Sequence, residues 1–279
     1  MNLIYYHKNC DDGFGGAWAA WLQFGDRAQY TAISHDDPMF DANKITSNDE
    51  IVLIDISLPN ETLHKLARHA NSITILDHHK TAKDDFKNLE SNPISAVFDM
   101  EKSGAMLAWE YFHPNTAVPL LIQHIQDSDL WKFRLPRTKQ VMAGLRSHPR
   151  DFSVWNTLET SQLANEGDPI LRSIDQQVMN LVERAEIITL ADHNIPVVNS
   201  ALHGSEIGHS LLDHYPDAPF AAIFYVSKSK VHWSLRSRGD FDISSVAKLF
   251  GGGGHPTAAG FTTSEKFLIE VSKNMQEDN

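Results

Sequence analysis

The stretch Ile73–Thr81 reads ITILDHHKT: four apolar or β-branched residues run straight into Asp77, His78 and His79. Ile73, Thr74, Ile75 and Leu76 have the composition of a short strand buried on both faces. A strand that ends in an acid and two imidazoles delivers three polar groups to one edge of a sheet. In an open parallel sheet that edge is where ligands bind. Asp and His together suit a divalent transition metal.

Upstream, Glu50–Ser57 contains IVLIDIS, a second buried-type strand with Asp55 near its end. Pro59 and Asn60 open a helix predicted to run to about Ala70. Leu3–Tyr6 reads as a first strand and leads into a polar loop, His7 to Gly13. Phe14, Ala17, Trp18, Trp21 and Leu22 then recur at helical spacing. Tyr30–Ser34 reads as a further strand. Strands alternating with helices predict a parallel α/β sheet with right-handed crossovers. Three strands therefore end near His7, Asp55 and Asp77. Ser103–Phe112 and Val118–Gln126 read as covering helices, the second running into Asp127, Ser128 and Asp129. Asp168-Pro169 reads as a helix start, with an apolar face continuing to about residue 190.

Beyond that helix the text changes. Pro196–Leu202, Phe220–Ser227 and Val231–Ser237 read as strands, and Ser244–Phe250 as a helix followed by Gly251-Gly-Gly-Gly-His255. The expected division is a first domain over 1–186, a linker over 187–196 and a smaller domain over 197–279.

Composition narrows the function classes. The chain has 279 residues, a net charge of −12 and a single cysteine, Cys10. It has no apolar run of the ~18 residues that a membrane span needs, and its first residues do not read as a signal peptide. One cysteine cannot make an internal disulfide, so the expected location is cytoplasmic. The acidic balance argues against broad binding of long duplex nucleic acid. It leaves room for a small phosphate substrate held by local cations and metals.

His7, Asp11 and Asp12 follow the first strand, and with Asp55 and Asp77-His78-His79 they form a candidate set for manganese, zinc or cobalt. Asp127 and Asp129 are ambiguous: either could be a solvated helix end. Two carboxylates at a helix C-terminus call for a compensating charge. A site this rich in anionic oxygens can hold two metals, which clamp a phosphoryl group and acidify a bridging water. His79 could instead act on the phosphate or the leaving oxygen. Cys10 reads as a small packed residue. In the second half, Lys228, Lys230, Arg236 and Arg238 form a cationic run, and the four glycines allow backbone amides to approach an anion. Trp233 and Phe261 read as core.

Taken together, these residues resemble the DHH phosphoesterase superfamily with a C-terminal DHHA1 domain. The triplet is Asp77-His78-His79. His7-Lys-Asn-Cys-Asp-Asp-Gly13 is similar to a first motif of the form H-x-x-C-x-D-G, Asp55 to the lone second-motif aspartate, and Asp127 to the acid after the triplet. Leu235-Arg236-Ser237, Gly252-Gly-Gly-His255 and Ala258-Ala-Gly-Phe261 are similar to the DHHA1 substrate motifs. Many members carry two aspartates two apart in the first motif, where this chain has Cys10 and Asp12; Asp11 is the candidate substitute. The resemblance implies a parallel-sheet DHH domain flanked by helices, a smaller α/β domain with a mixed sheet, and an active site in the cleft between them. It implies two manganese ions, with magnesium or cobalt as alternatives, held by His7, Asp12, Asp55, His78 and Asp127, with Asp55 a candidate bridge. Asp77 would orient the imidazoles and His79 would meet the phosphate. Arg236, Ser237, Gly252, Gly253, Gly254 and His255 would bind substrate. The implied activity is cleavage of short oligoribonucleotides or linear dinucleotides such as pGpG to nucleoside monophosphates, by a monomer or homodimer. The rival activities are an exopolyphosphatase or a 3′,5′-bisphosphonucleoside phosphatase. The rival of another class is a nucleotide-binding module with a degenerate site.

Overall fold

The computed structural model describes residues 1–34, 44–86 and 93–267. Two compact units divide the chain, Met1–Leu171 and Arg172–Asn279. In chain order the first carries β1 (Asn2–His7), α1 (Asp11–Phe24), β2 (Ala28–Ile33), β3 (Glu50–Ile54), α2 (Asn60–Ala67) and β4 (Ser72–Asp77). Then come α3 (Lys80–Phe86), β5 (Ile94–Phe98), α4 (Gly104–Phe112), α5 (Leu120–Asp129), α6 (Thr138–Leu145) and α7 (Phe152–Trp155), followed by α8 (Thr160–Val182), which runs across the boundary at Leu171.

The first unit is built on a five-stranded sheet in the order β2-β1-β3-β4-β5, and every pair is parallel. Ile73, Ile75 and Leu76 of β4 are fully buried, as a central strand between two helical layers requires. One layer packs α1, α4 and α5 on the sheet through Phe14, Trp18, Trp109, Ile122 and Ile125. The other seats Leu63 and Leu66 of α2 on Ile51, Leu53, Ile73 and Ile75. From β1 the chain reaches β2 on one side and β3 on the other. The carboxyl ends of β1 and β3 therefore flank a topological switch point, where open α/β sheets bind ligands.

The second unit carries β6 (Glu186–Leu190), β7 (His193–Asn199), α9 (Gly204–His214), β8 (Phe220–Ser227), β9 (Lys230–Ser237), α10 (Ile243–Leu249), β10 (Gly253–Gly254) and β11 (Ala258–Ser264). Its sheet runs β10-β11-β9-β8-β7-β6 and is mixed: among the described residues β7–β8 is parallel and the other pairs are antiparallel. Trp233 and Phe261 stack in its core, ring centroids 5.6 Å apart.

Two local expectations are corrected. The polar loop after β1 does not extend to Gly13: α1 begins at Asp11, placing both aspartates in its first turn, where the helix dipole favours carboxylates. Asp168-Pro169 is not a helix start, because α8 begins eight residues earlier and contains Pro169. Leu163 and Ala164 are buried in the first core, and Arg137 binds Asn165, the Ala164 carbonyl and Asp168. These tertiary contacts hold the turn before the proline helical despite the missing amide.

Candidate metal centre

The register brings three strand ends side by side. Tyr6 pairs with Ile54 and Ile54 with Leu76, so the residues that follow, His7, Asp55 and Asp77, sit in a row at the carboxyl edge. Asp55 leaves β3 with φ at 58°, a left-handed turn that Asp tolerates better than most side chains. Its two oxygens have different partners. Oδ2 lies 3.3 Å from His7 Nδ1, and Oδ1 lies 3.1 Å from His78 Nε2. His78 Nε2 is also 3.6 Å from Asp12 Oδ2 and 3.6 Å from Asp129 Oδ2. Potential ligand atoms of Asp12, Asp55 and His78 all lie within 4.8 Å of one another, as do those of His7, Cys10 and Asp55.

Asp77 does a different job. Its Oδ1 accepts from the His78 and His79 backbone amides at 2.7 and 3.2 Å and lies 2.6 Å from His79 Nδ1. That fixes the turn after β4 and the plane of the His79 ring.

Asp12 is positioned from elsewhere in the chain. The amides of Gly104 and Ala105, at the start of α4, donate to its two oxygens at 2.6 and 2.9 Å. A helix N-terminus leaves such amides unpaired and attracts an anion. Gly104 admits this approach because it lacks Cβ: one added there would lie 2.6 Å from Asp55 Cβ and 3.0 Å from Asp12 Oδ2. Ser103 caps the same helix by accepting from the Met106 amide.

Asp127 is not in the cluster. It accepts from the amides of Arg134 and Leu135 and from the Thr138 hydroxyl, which also bonds His124, so it closes the turn between α5 and α6. Asp129, rather than Asp127, approaches His78. The signal was in the helix period: Asp129 is four residues after Ile125 and seven after Ile122, on the stripe that packs toward α1. Asp11 is also elsewhere, gripped by Arg146 Nε at 2.8 Å and Arg150 Nη2 at 2.7 Å.

The electrostatics call for a cation. Burial, and then the charges of Asp129 and Asp55, push the Asp12 carboxyl well up. Loss of solvent contact and Asp55 likewise raise Asp129. Burial opposes ionisation of Asp55 too, but the hydrogen bonds with His7 and His78 hold it far below the usual range. Against the cost of burial, Asp55, Asp129 and Asp12 drive His78 up to about 10, and Asp77 drives His79 up to about 9. Burial and the same acids push the Cys10 thiol well up. Asp77 Oδ2 is buried without a hydrogen-bond partner among the described residues. Three crowded carboxylates, imidazole nitrogens and an orphaned carboxylate oxygen fit a divalent cation, whose charge reverses this repulsion.

In the second unit, Arg236 at the end of β9 is half-buried. Its Nη1 donates to its neighbour's carbonyl, Leu235 O, and its Nη2 to Ser205 Oγ at 2.7 Å. Ser237 turns inward: its hydroxyl donates to the carbonyl oxygens of Phe241 and Pro256, so it braces the loop. The glycine run is only partly an open loop. Gly251 and Gly252 donate to the carbonyls of Lys248 and Ala247, and His255 donates to Ala258. Gly253 and Gly254 pair with Gly260 and Ala259 as β10. Gly252 must lack a side chain, since a Cβ would lie 2.1 Å from Gly260 O.

Comparison with known proteins agrees with this architecture. Residues 196–277 match the DHHA1 domain family. The oligoribonuclease NrnB of Bacillus subtilis (strain 168) is 22% identical over 317 aligned positions, which cover 100% of this chain and 77% of NrnB. The pGpG-specific phosphodiesterase PggH from Vibrio cholerae has the same fold with a TM-score of 0.52 and 13% identity, over 98% of this chain and 96% of that one. RecJ from Thermus thermophilus, solved with Mn2+, gives a TM-score of 0.57 at 14% identity, over 98% of this chain and 51% of RecJ.

Proposed function

We propose that this chain, whose residues 196–277 match the DHHA1 domain family, is a DHH-superfamily enzyme, a divalent-metal-dependent phosphodiesterase of short oligoribonucleotides and linear dinucleotides such as pGpG. The observation that carries this is the meeting of Asp12, Asp55, His78 and Asp129 at the carboxyl edge of β1, β3 and β4. These four side chains would hold a metal, with His7 beside the other oxygen of Asp55. When bound, the metal supplies Lewis-acid charge to a phosphoryl group and acidifies a water molecule. RecJ's Mn2+ favours manganese for the all-oxygen-and-nitrogen part of the set.

The remaining roles belong to the chain itself. Asp77 orients His79 by a hydrogen bond at Nδ1 and favours its protonated form. His79 is then a donor for a phosphoryl or leaving oxygen. Arg236, pre-oriented by Ser205, is the cationic fork for a substrate phosphate. A short substrate suits a chain with a net charge of −12 and few cations to spare. The oligoribonuclease activity in NrnB's name supports the same substrate class.

The test is product analysis with the manganese-loaded chain on oligoribonucleotides of increasing length from the dinucleotide upward, beside polyphosphate and a 3′,5′-bisphosphonucleoside. Nucleoside monophosphate release, fastest from the shortest substrates, is expected. Turnover of polyphosphate or the bisphosphonucleoside without any of the dinucleotide would overturn the assignment.

A further inference from the structure

We propose that the centre is chemically asymmetric: His7, Cys10 and Asp55 form a thiolate-containing site that selects zinc, cobalt or ferrous iron over manganese and magnesium. This rests on the reading of the cluster as a metal centre. Three observations carry it. The ligand atoms of the three residues lie within 4.8 Å of one another. The Asp55 oxygen on the His7 side is the one that does not face His78. Asp11, the alternative oxygen ligand, is held by Arg146 and Arg150, so the sulfur is the third donor at this position.

One nitrogen, one sulfur and one carboxylate oxygen with a position left for water is a donor set of the kind catalytic zinc sites use. Asp12, Asp55, His78 and Asp129 offer oxygen and nitrogen alone, a harder set that suits manganese or magnesium. Asp55, with an oxygen on each side, joins the two. On binding, the thiol proton leaves to solvent and the sulfur takes the cation in its place, with no change of oxidation state.

Cys10 is the sole cysteine, so any metal–sulfur signal reports on it alone. Its position just before α1 also makes Ser and Asp compatible replacements, since both are favoured helix caps. The experiment strips the full chain with a chelator, titrates it with Co2+ and records the near-ultraviolet sulfur-to-cobalt charge-transfer band. The band is expected in the native chain and absent from Cys10→Ser and Cys10→Asp, with thermal melts confirming that both variants fold. Equilibration with a zinc–manganese mixture, followed by elemental analysis, should show the bound zinc-to-manganese ratio falling at least tenfold in Cys10→Asp. No band in the native chain, or an unchanged ratio in the variant, would overturn the proposal. A band in a protein that hydrolyses no dinucleotide with any metal would instead overturn the proposed activity and leave the site standing.

Discussion

Gly104, at the first position of α4, donates its amide to Asp12 across 92 residues of chain, at 2.6 Å. The contact ties the layer of helices over the sheet to the edge where the strands end. It makes Gly104 a positioning residue for two carboxylates, Asp12 by hydrogen bond and Asp55 by close packing.

Gly104→Ala is therefore expected to leave the fold intact and displace both carboxylates. A methyl group 2.6 Å from Asp55 Cβ cannot be accommodated without a shift of backbone. Misplacement on the order of an ångström costs roughly 100-fold in rate. Steady-state kinetics and metal titration of the variant should both show the loss; native metal affinity would rule out the positioning role.

Asp129→Asn and Asp127→Asn should separate cleanly. Asp129 meets His78 at 3.6 Å, so its substitution is expected to weaken metal binding about 10–100-fold with little loss of stability, as for groups that tune a metal site. Asp127 receives two amides and a hydroxyl in the turn after α5. Its substitution should cost about 1–3 kcal/mol of stability and leave metal affinity near native. Isothermal titration and thermal melts on both variants check this.

The metal-free protein should lose stability as the pH rises toward 10. His79 has its folded pKa raised from 6.5 to about 9 by Asp77, so its contribution is fully present below about 6.5 and disappears as the pH passes through about 9. His78, driven up to about 10, acts in the same direction. Melting temperatures of chelator-treated protein should decline across this window, and His79→Asn should flatten the decline. A native profile that is flat or rises would contradict the Asp77–His79 pairing.

Arg236 and Ser237 are neighbours with opposite expected phenotypes. Arg236→Lys removes the planar fork but keeps the charge, and should raise KM about tenfold with stability near native. Ser237→Ala removes a buried hydroxyl from Phe241 O and Pro256 O, and should cost about 1 kcal/mol in denaturant melts while KM stays native. A higher KM in Ser237→Ala would restore it as a ligand contact.

By itself the sequence determined where the strands end and what they end in. Buried-type runs over Leu3–Tyr6, Ile51–Ile54 and Ile73–Leu76, alternating with helical periods, require a parallel sheet, and a parallel sheet places His7, Asp55 and Asp77 on one edge. Tertiary structure decided which neighbouring acid joins them. Asp127 and Asp129 are two residues apart at the end of one helix and so point in different directions, and only the packing of α5 on α1 and α6 selects between them. Asp11 and Asp12 are adjacent, yet Arg146 and Arg150 take one while the amides of α4 take the other. The glycine run was legible as composition, but the amides of Gly251, Gly252 and His255 are spent on carbonyls of α10 and β11. Local residue chemistry sets the periods and the breaks; the partner of a given oxygen or amide is a contact between distant segments, which composition and spacing do not encode.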